Sequence, residues 1–148
     1  MVRQRLVDSG KGLPLDTCFT LRQGKDVTLV SWGAAMHETL QAAERLARDG
    51  IECEVIDVAT ISPLDFDTIK RSVQHTGRCV IVQEAPRNGG VASEISARLA
   101  ETCLMHLRAP VQRVTGYDAT MPYPRQEHLY MPASDDIIAA ARTTLEGL

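Results

Sequence analysis

Residues 83–90, Gln83-Glu84-Ala85-Pro86-Arg87-Asn88-Gly89-Gly90, bring a carboxylate, a guanidinium and a glycine pair into one short run. That combination can do two things. A glycine pair opening a helix exposes backbone N–H groups to an anion, and Arg87 beside it would add charge to such a cradle. Alternatively, Gly89 and Gly90 let a helix approach a sheet closely, while Glu84 and Arg87 pair as ions at an interface. Residue types alone leave both readings open. A second run, residues 115–132, holds all three tyrosines and three of the seven prolines, and includes Gly116, Tyr117, Asp118, Pro122 and Tyr123. Loops beyond about 12–15 residues are uncommon in compact domains unless they bind something. Tyrosine on stiff, proline-rich backbone suits a protein contact, since the ring buries area at little entropic cost. The alternative is a loop that packs on its own domain.

Other candidates are weaker. Gly33 stands alone where a dinucleotide site needs G-x-G-x-x-G, so Asp57, 24 residues on, does not make a ribose-binding position. His37, His75, His106 and His128 fall on different elements, and none has a cysteine or serine in triad-like order. Asp135 and Asp136 follow Ser134 at a helix start, where negative charge suits the helix dipole. Cys18, Cys53, Cys79 and Cys103 lie at least 24 residues apart, each inside an apolar run. They read as buried, reduced thiols, not disulfides or a zinc site, whose ligands come in close pairs. None of these weaker candidates makes a catalytic or metal-ligating site.

Composition narrows the class. The 148 residues carry 16 basic and 19 acidic side chains, net −3, with 44% apolar and 24% charged residues. That is the composition of a folded globular domain, and its mildly acidic balance argues against a nucleic-acid binder, which normally shows a basic face. A chain of this length buries roughly 68–70% of its unfolded surface as a single domain. No apolar stretch approaches the roughly 18 residues that span a bilayer, and the start, with Arg3, Arg5, Asp8 and Lys11, lacks a signal-peptide core. No membrane association and no secretion are expected.

The elements that must position these residues follow from periodicity. Residues 1–16, with Gly10, Gly12 and Pro14, read as a linker or N-terminal arm, and residues 17–148 as the domain. Residues 17–22 and 27–32 read as strands joined by a short turn, which implies antiparallel neighbours. Met36, Leu40, Ala43 and Ala47 mark a helix ending at Gly50. Residues 53–58 form a strand, and Ser62-Pro63 restarts a helix through Ile69 and Val73 to Gly77. Residues 79–82 are a continuous apolar run that suits a strand buried on both faces. Val91, Ile95, Leu99, Cys103 and Leu107 stripe a helix stopped by Pro110. Residues 111–114 form a last strand, and Ile137, Ile138, Ala141 and Leu145 mark a closing helix. This alternation predicts an α/β fold: three layers, α/β/α, around a five-stranded, mostly parallel sheet whose first strand is antiparallel. Ligands in such sheets gather at the carboxyl ends of the strands, in the loops after Trp32, Val58, Val82 and Val114.

Several segments carry a resemblance: Asp26-Val27-Thr28-Leu29-Val30-Ser31-Trp32-Gly33, Cys53-Glu54-Val55-Ile56-Asp57, Ile61-Ser62-Pro63-Leu64-Asp65, Thr76-Gly77-Arg78, Glu84-Ala85-Pro86-Arg87-Asn88-Gly89-Gly90 and Arg113-Val114-Thr115-Gly116-Tyr117-Asp118. In this order, from about Thr17 onward, they resemble the C-terminal, transketolase-type domain of the beta subunit of a thiamine-diphosphate-dependent 2-oxo acid dehydrogenase. Residues before Thr17 show no match to the family's linker. Ala92-Ser93-Glu94-Ile95-Ser96, Ala109-Pro110 and Gly116-Tyr117-Asp118 are most similar to the branched-chain (2-oxoisovalerate) enzyme, with the pyruvate or acetoin enzyme as the alternative.

The resemblance implies a part of an oxidoreductase that decarboxylates 2-oxo acids and acylates lipoyl groups. It implies thiamine diphosphate and magnesium in the whole enzyme, and none bound by this chain alone. In the family the aminopyrimidine-binding domain with its activating glutamate precedes this one, and the G-D-G…N-N motif belongs to the alpha subunit. The implied role is assembly, with the alpha subunit, a second beta subunit and the lipoyl acyltransferase core as partners, without nucleic acid or membrane. The tetramer-facing part of that role falls on residues 84–90 and 116–123, with Glu84, Arg87, Asn88, Gly89, Gly90, Tyr117, Asp118, Pro122 and Tyr123 as site candidates, and docking of the acyltransferase core falls on the C-terminal region. The implied location is the cytoplasm of a bacterium, or the mitochondrial matrix of a eukaryote. Two rivals stand beside it. One is a stand-alone anion- or nucleotide-binding module built on Arg87 and Gly89-Gly90. The other is the C-domain of a transketolase or deoxyxylulose-phosphate synthase, which Glu84-Ala85-Pro86-Arg87 fits less well.

Overall fold

The computed structural model describes residues 12, 14–122 and 125–146. Most of the expected N-terminal arm, and Tyr123, lie outside the described residues. The elements are β1 (Phe19–Arg22), β2 (Val27–Ser31), α1 (Ala35–Arg48), β3 (Cys53–Asp57), α2 (Phe66–Thr76), β4 (Cys79–Pro86), α3 (Val91–Cys103), β5 (Gln112–Gly116) and α4 (Ser134–Glu146). Short 3₁₀ turns cover Leu104–His106 and Glu127–Leu129. The sheet order is β1-β3-β2-β4-β5, with β1 antiparallel and the other pairings parallel. The expected three-layer architecture is the observed one.

Its first strand, however, reaches the antiparallel position by another route. β1 pairs with β3, not with β2 as a hairpin would require. The link carries the chain across the start of β3: Lys25 N and Asp26 N both donate to Glu52 O at 3.0 Å, and Asp26 Oδ2 accepts from Glu52 N at 2.7 Å. Gly24 lies so close to the Cys53–Glu54 peptide that a Cβ there would overlap it. Residues 23–26 therefore form a crossing whose hydrogen bonds go to β3.

Strand side chains alternate between two cores. Val27, Leu29, Val55, Val80 and Val82 face α1 and α4, packing against Ala43, Leu46, Ile137 and Ala141. Val30, Ile56, Cys79 and Ile81 face α2 and α3, packing against Ile69, Val73, Ile95 and Leu99. Each fully buried Leu or Ile contributes roughly 2 kcal/mol of transfer free energy. All four cysteines are buried and free. Burial, with Asp65 and Asp57 nearby, pushes the Cys18 thiol up to about 12, and burial pushes Cys53 to about 12 as well.

Four boundaries differ from expectation. α2 starts at Phe66, not at Pro63, because Asp65 caps it: its carboxylate accepts from Thr68 N at 3.1 Å and Thr68 Oγ1 at 2.6 Å. α3 stops at Cys103, and Leu107 N is shared between the carbonyls of Cys103 and Leu104, both at 3.2 Å, a tightened last turn. β4 and β5 both run further toward their carboxyl ends than their apolar runs, to Pro86 and Gly116. No helix among the described residues is long and apolar enough to cross a membrane.

Candidate functional site

The extension of β4 puts Gln83 and Glu84 on a strand, where a loop was expected after Val82. Consecutive strand residues point to opposite faces, so Gln83 faces α3 and Glu84 faces α1. Gln83 is fully buried. Its Oε1 accepts from Ala92 N at 2.9 Å, while Nε2 donates to Pro86 O at 2.8 Å and Ala85 O at 3.3 Å. A Cβ on Gly90 would overlap the Gln83 carboxamide, and Gly89 adopts φ +73°. The glycine pair thus serves close approach and backbone conformation. Two donors at this helix start are in use, Ala92 N by Gln83 and Ser93 N by Gly90 O at 3.0 Å. Gln83 was not among the expected site residues. Its sequence signal was a polar residue closing an apolar run seven residues before the glycine pair ends.

Glu84 closes the other helix. α1 begins without a side-chain cap of its own, and Glu84 Oε1 accepts from Ala35 N at 3.2 Å. A carboxylate there interacts favourably with the helix dipole. The expected Glu84–Arg87 ion pair is not formed: ion pairs among the described residues are Lys25–Glu52, Arg45–Asp135 and Arg142–Asp49. Arg87 turns to β5 instead, its Nη1 donating to Arg113 O at 3.2 Å. Arg113 Nη1 donates back to Arg87 O at 3.3 Å and to Ser93 Oγ at 2.7 Å. Asp135 also does more than sit at a helix start, since it pairs with Arg45 at 2.6 Å. Asp136 Oδ2 accepts from Ala133 N at 3.1 Å, ahead of α4.

The structure brings the two candidate runs together. Asn88 N donates to Asp118 Oδ1 at 3.0 Å and Asn88 Nδ2 to Asp118 Oδ2 at 2.7 Å, latching the β4–α3 connection to the loop after β5. Tyr130, which is buried, stacks edge-on against Tyr117, with ring centroids 6.4 Å apart at 67°. Gly116 makes room for the Tyr130 ring, which a Cβ would strike. Tyr130 packs on its own domain, while Tyr117, Met121 and Leu129 are 68%, 51% and 66% exposed, with half-buried Pro122 among them. A cleft of about 600 Å³ opens beside them at the end of β5, with Arg87, Arg113, Asp118 and Asp136 at its walls. Among the described residues no group of three His, Cys, Asp or Glu could hold a metal. A thiamine diphosphate–magnesium group does not fit this donor set. The α1 start already carries the Glu84 carboxylate, which would repel a diphosphate, and the α3 start carries the Gln83 amide.

The model of the family described as "Transketolase, C-terminal domain" matches residues 17–137. The chain belongs to this family. It is 46% identical over 125 residues to the pyruvate dehydrogenase E1 component subunit beta of Staphylococcus epidermidis, covering 84% of this chain and 38% of that protein. Against the same-named subunit of Bacillus subtilis it is 38% identical over 144 residues, covering 97% of this chain and 44% of the relative. The chain thus spans less than half the length of these relatives. Among solved structures it is similar to a split-gene transketolase described as an inactive "beta4" tetramer, with TM-score 0.79, 27% identity, and coverage of 98% of this chain and 46% of the other. A 2-oxoglutarate:ferredoxin oxidoreductase from Magnetococcus marinus shares the fold alone, with TM-score 0.57 and 10% identity over 87% of this chain and 19% of the other.

Proposed function

We propose that the chain is the C-terminal domain of the beta subunit of a pyruvate-type 2-oxo acid dehydrogenase E1 component, serving assembly and not the chemical step. What carries this reading is the 46% identity to a pyruvate dehydrogenase beta subunit across 84% of the chain. The site supports it: at each of the two helix starts on the ligand-prone edge of the sheet, a side chain of β4, Gln83 or Glu84, takes a backbone donor. The apolar side chains of Tyr117, Met121 and Leu129 face outward beside the Asn88–Asp118 latch. Residues 84–90 and 116–123 are assigned to the alpha subunit and a second beta subunit, and the C-terminal region to docking the lipoyl acyltransferase. Thiamine diphosphate and magnesium would be held elsewhere in the assembled enzyme, where the cofactor supplies the electron sink for decarboxylation.

The residue pattern leaned toward the branched-chain enzyme. The relatives named above are pyruvate enzymes, and pyruvate is the substrate carried forward. The anion-binding alternative is the weaker reading, because Ala92 N and Ser93 N at the start of α3 are engaged within the protein and Arg87 Nη1 donates to Arg113 O. The test is to co-purify the whole beta subunit with its alpha subunit and compare carbon dioxide release from pyruvate and 2-oxoisovalerate. Faster release from pyruvate is expected. Preference for 2-oxoisovalerate would overturn the substrate, and failure of the two subunits to associate would overturn the assembly role.

A further inference from the structure

Asn88 is the single asparagine in 148 residues, and glycine follows it. Glycine least hinders attack of its own backbone nitrogen on the preceding side chain, having no Cβ and free access to unusual φ. Asn88 and Gly89 are both exposed, and open space surrounds the position a Gly89 Cβ would take. Among the described residues, no acceptor takes the Gly89 N–H. The Asn88 carboxamide is meanwhile held by a carboxylate, Asp118.

From this geometry we infer that Asn88–Gly89 is a site of spontaneous deamidation in the unassembled chain, held in check by Asp118. Gly89 N gives up its proton and bonds to Asn88 Cγ. The Cγ–Nδ2 bond breaks, and Nδ2 leaves as ammonia with that proton, closing a succinimide. Water then opens the ring at Cγ to give aspartate, or at the main-chain carbonyl to give isoaspartate. Nothing is oxidised or reduced, and water is the only co-reactant. Departure of Nδ2 must break its 2.7 Å bond to Asp118 Oδ2, so the latch stands against the reaction. Once formed, the product faces the Asp118 carboxylate with a second carboxylate, and like charges that close repel. The modification would therefore release the β4–α3 connection from the loop after β5. The inference stands independently of the assembly role.

The experiment incubates the full chain at mildly alkaline pH and follows the tryptic peptide of residues 88–98 by mass spectrometry, with isoaspartate detected by an isoaspartyl methyltransferase. Product is expected to form several-fold faster in Asp118→Ala than in the native chain, and not in Asn88→Gln. Deuterium uptake at the Asn88 amide, which Asp118 Oδ1 protects, should rise as product accumulates. If Asp118→Ala does not fold, Asp118→Asn keeps an acceptor without the charge and should show a smaller acceleration. Equal rates in the native chain and the folded Asp118 variants would overturn the proposal. So would the absence of product in all of them while a free peptide of residues 84–94 converts.

Discussion

α1 and α3 begin at the same edge of the sheet, neither with a side-chain cap of its own, and adjacent residues of β4 close both. The two closures are unlike. At α3 a neutral, fully buried Gln83 makes three hydrogen bonds and is fitted against Gly90. At α1 a charged, half-buried Glu84 accepts one bond at 3.2 Å. A buried polar group is costly to leave unpaired, so the α3 closure is structural in the strict sense. A half-buried carboxylate at a helix start is a modest electrostatic contribution that salt screens.

The largest expected effect breaks the α3 side. Gln83→Ala leaves Ala92 N and the carbonyls of Ala85 and Pro86 without their partner and opens a cavity. A loss of about 2–4 kcal/mol in urea unfolding is expected. Gly90→Ala forces the same carboxamide out of place and should cost about 2 kcal/mol, with no further loss in the Gln83→Ala background. α2 supplies a control, because it caps itself through Asp65. Asp65→Ala should cost about 1 kcal/mol.

The same cap carries a pH signature. Burial raises the Asp65 carboxyl, but the bonds from Thr68 and from Cys18 N outweigh it and hold the group below its ordinary value. A folded pKa below the unfolded one contributes stability above the unfolded value and loses it as pH falls through the folded one. The advantage of the native chain over Asp65→Asn should therefore shrink as pH drops below about 4. The smallest effect belongs to α1: Glu84→Gln should cost about 0.3–1 kcal/mol at low salt, fading in high salt, where Gln83→Ala does not fade. Equal salt sensitivity at both sites would erase the contrast.

Much of this molecule was legible in its residues. Alternating apolar runs such as residues 53–58 and 79–82, with helical stripes such as Ile95, Leu99 and Cys103, sufficed for the layers and the parallel sheet. The partner of β1 was not, because residues 23–26 look like any tight turn. What distinguishes a hairpin from a crossing is the pair of bonds from Lys25 N and Asp26 N to Glu52 O, made 27 and 26 residues away. The site was half legible. Asn88 and Asp118 were both candidates, but nothing local announces that they meet across 30 residues. Glu84 and Arg87 looked like an ion pair until β4 proved to continue through them, which turns one to α1 and the other to β5. Gln83 was missed because an apolar run ending in glutamine reads as a strand ending, whereas the strand goes on and buries it.

On the function proposed above, the ligand-prone edge of this domain is closed by its own side chains and contributes surface in place of cofactor binding. Isothermal titration of thiamine diphosphate with magnesium into the purified chain tests it most directly. No measurable heat of binding is expected at cofactor concentrations that saturate an assembled enzyme. Micromolar binding to the chain alone would contradict it.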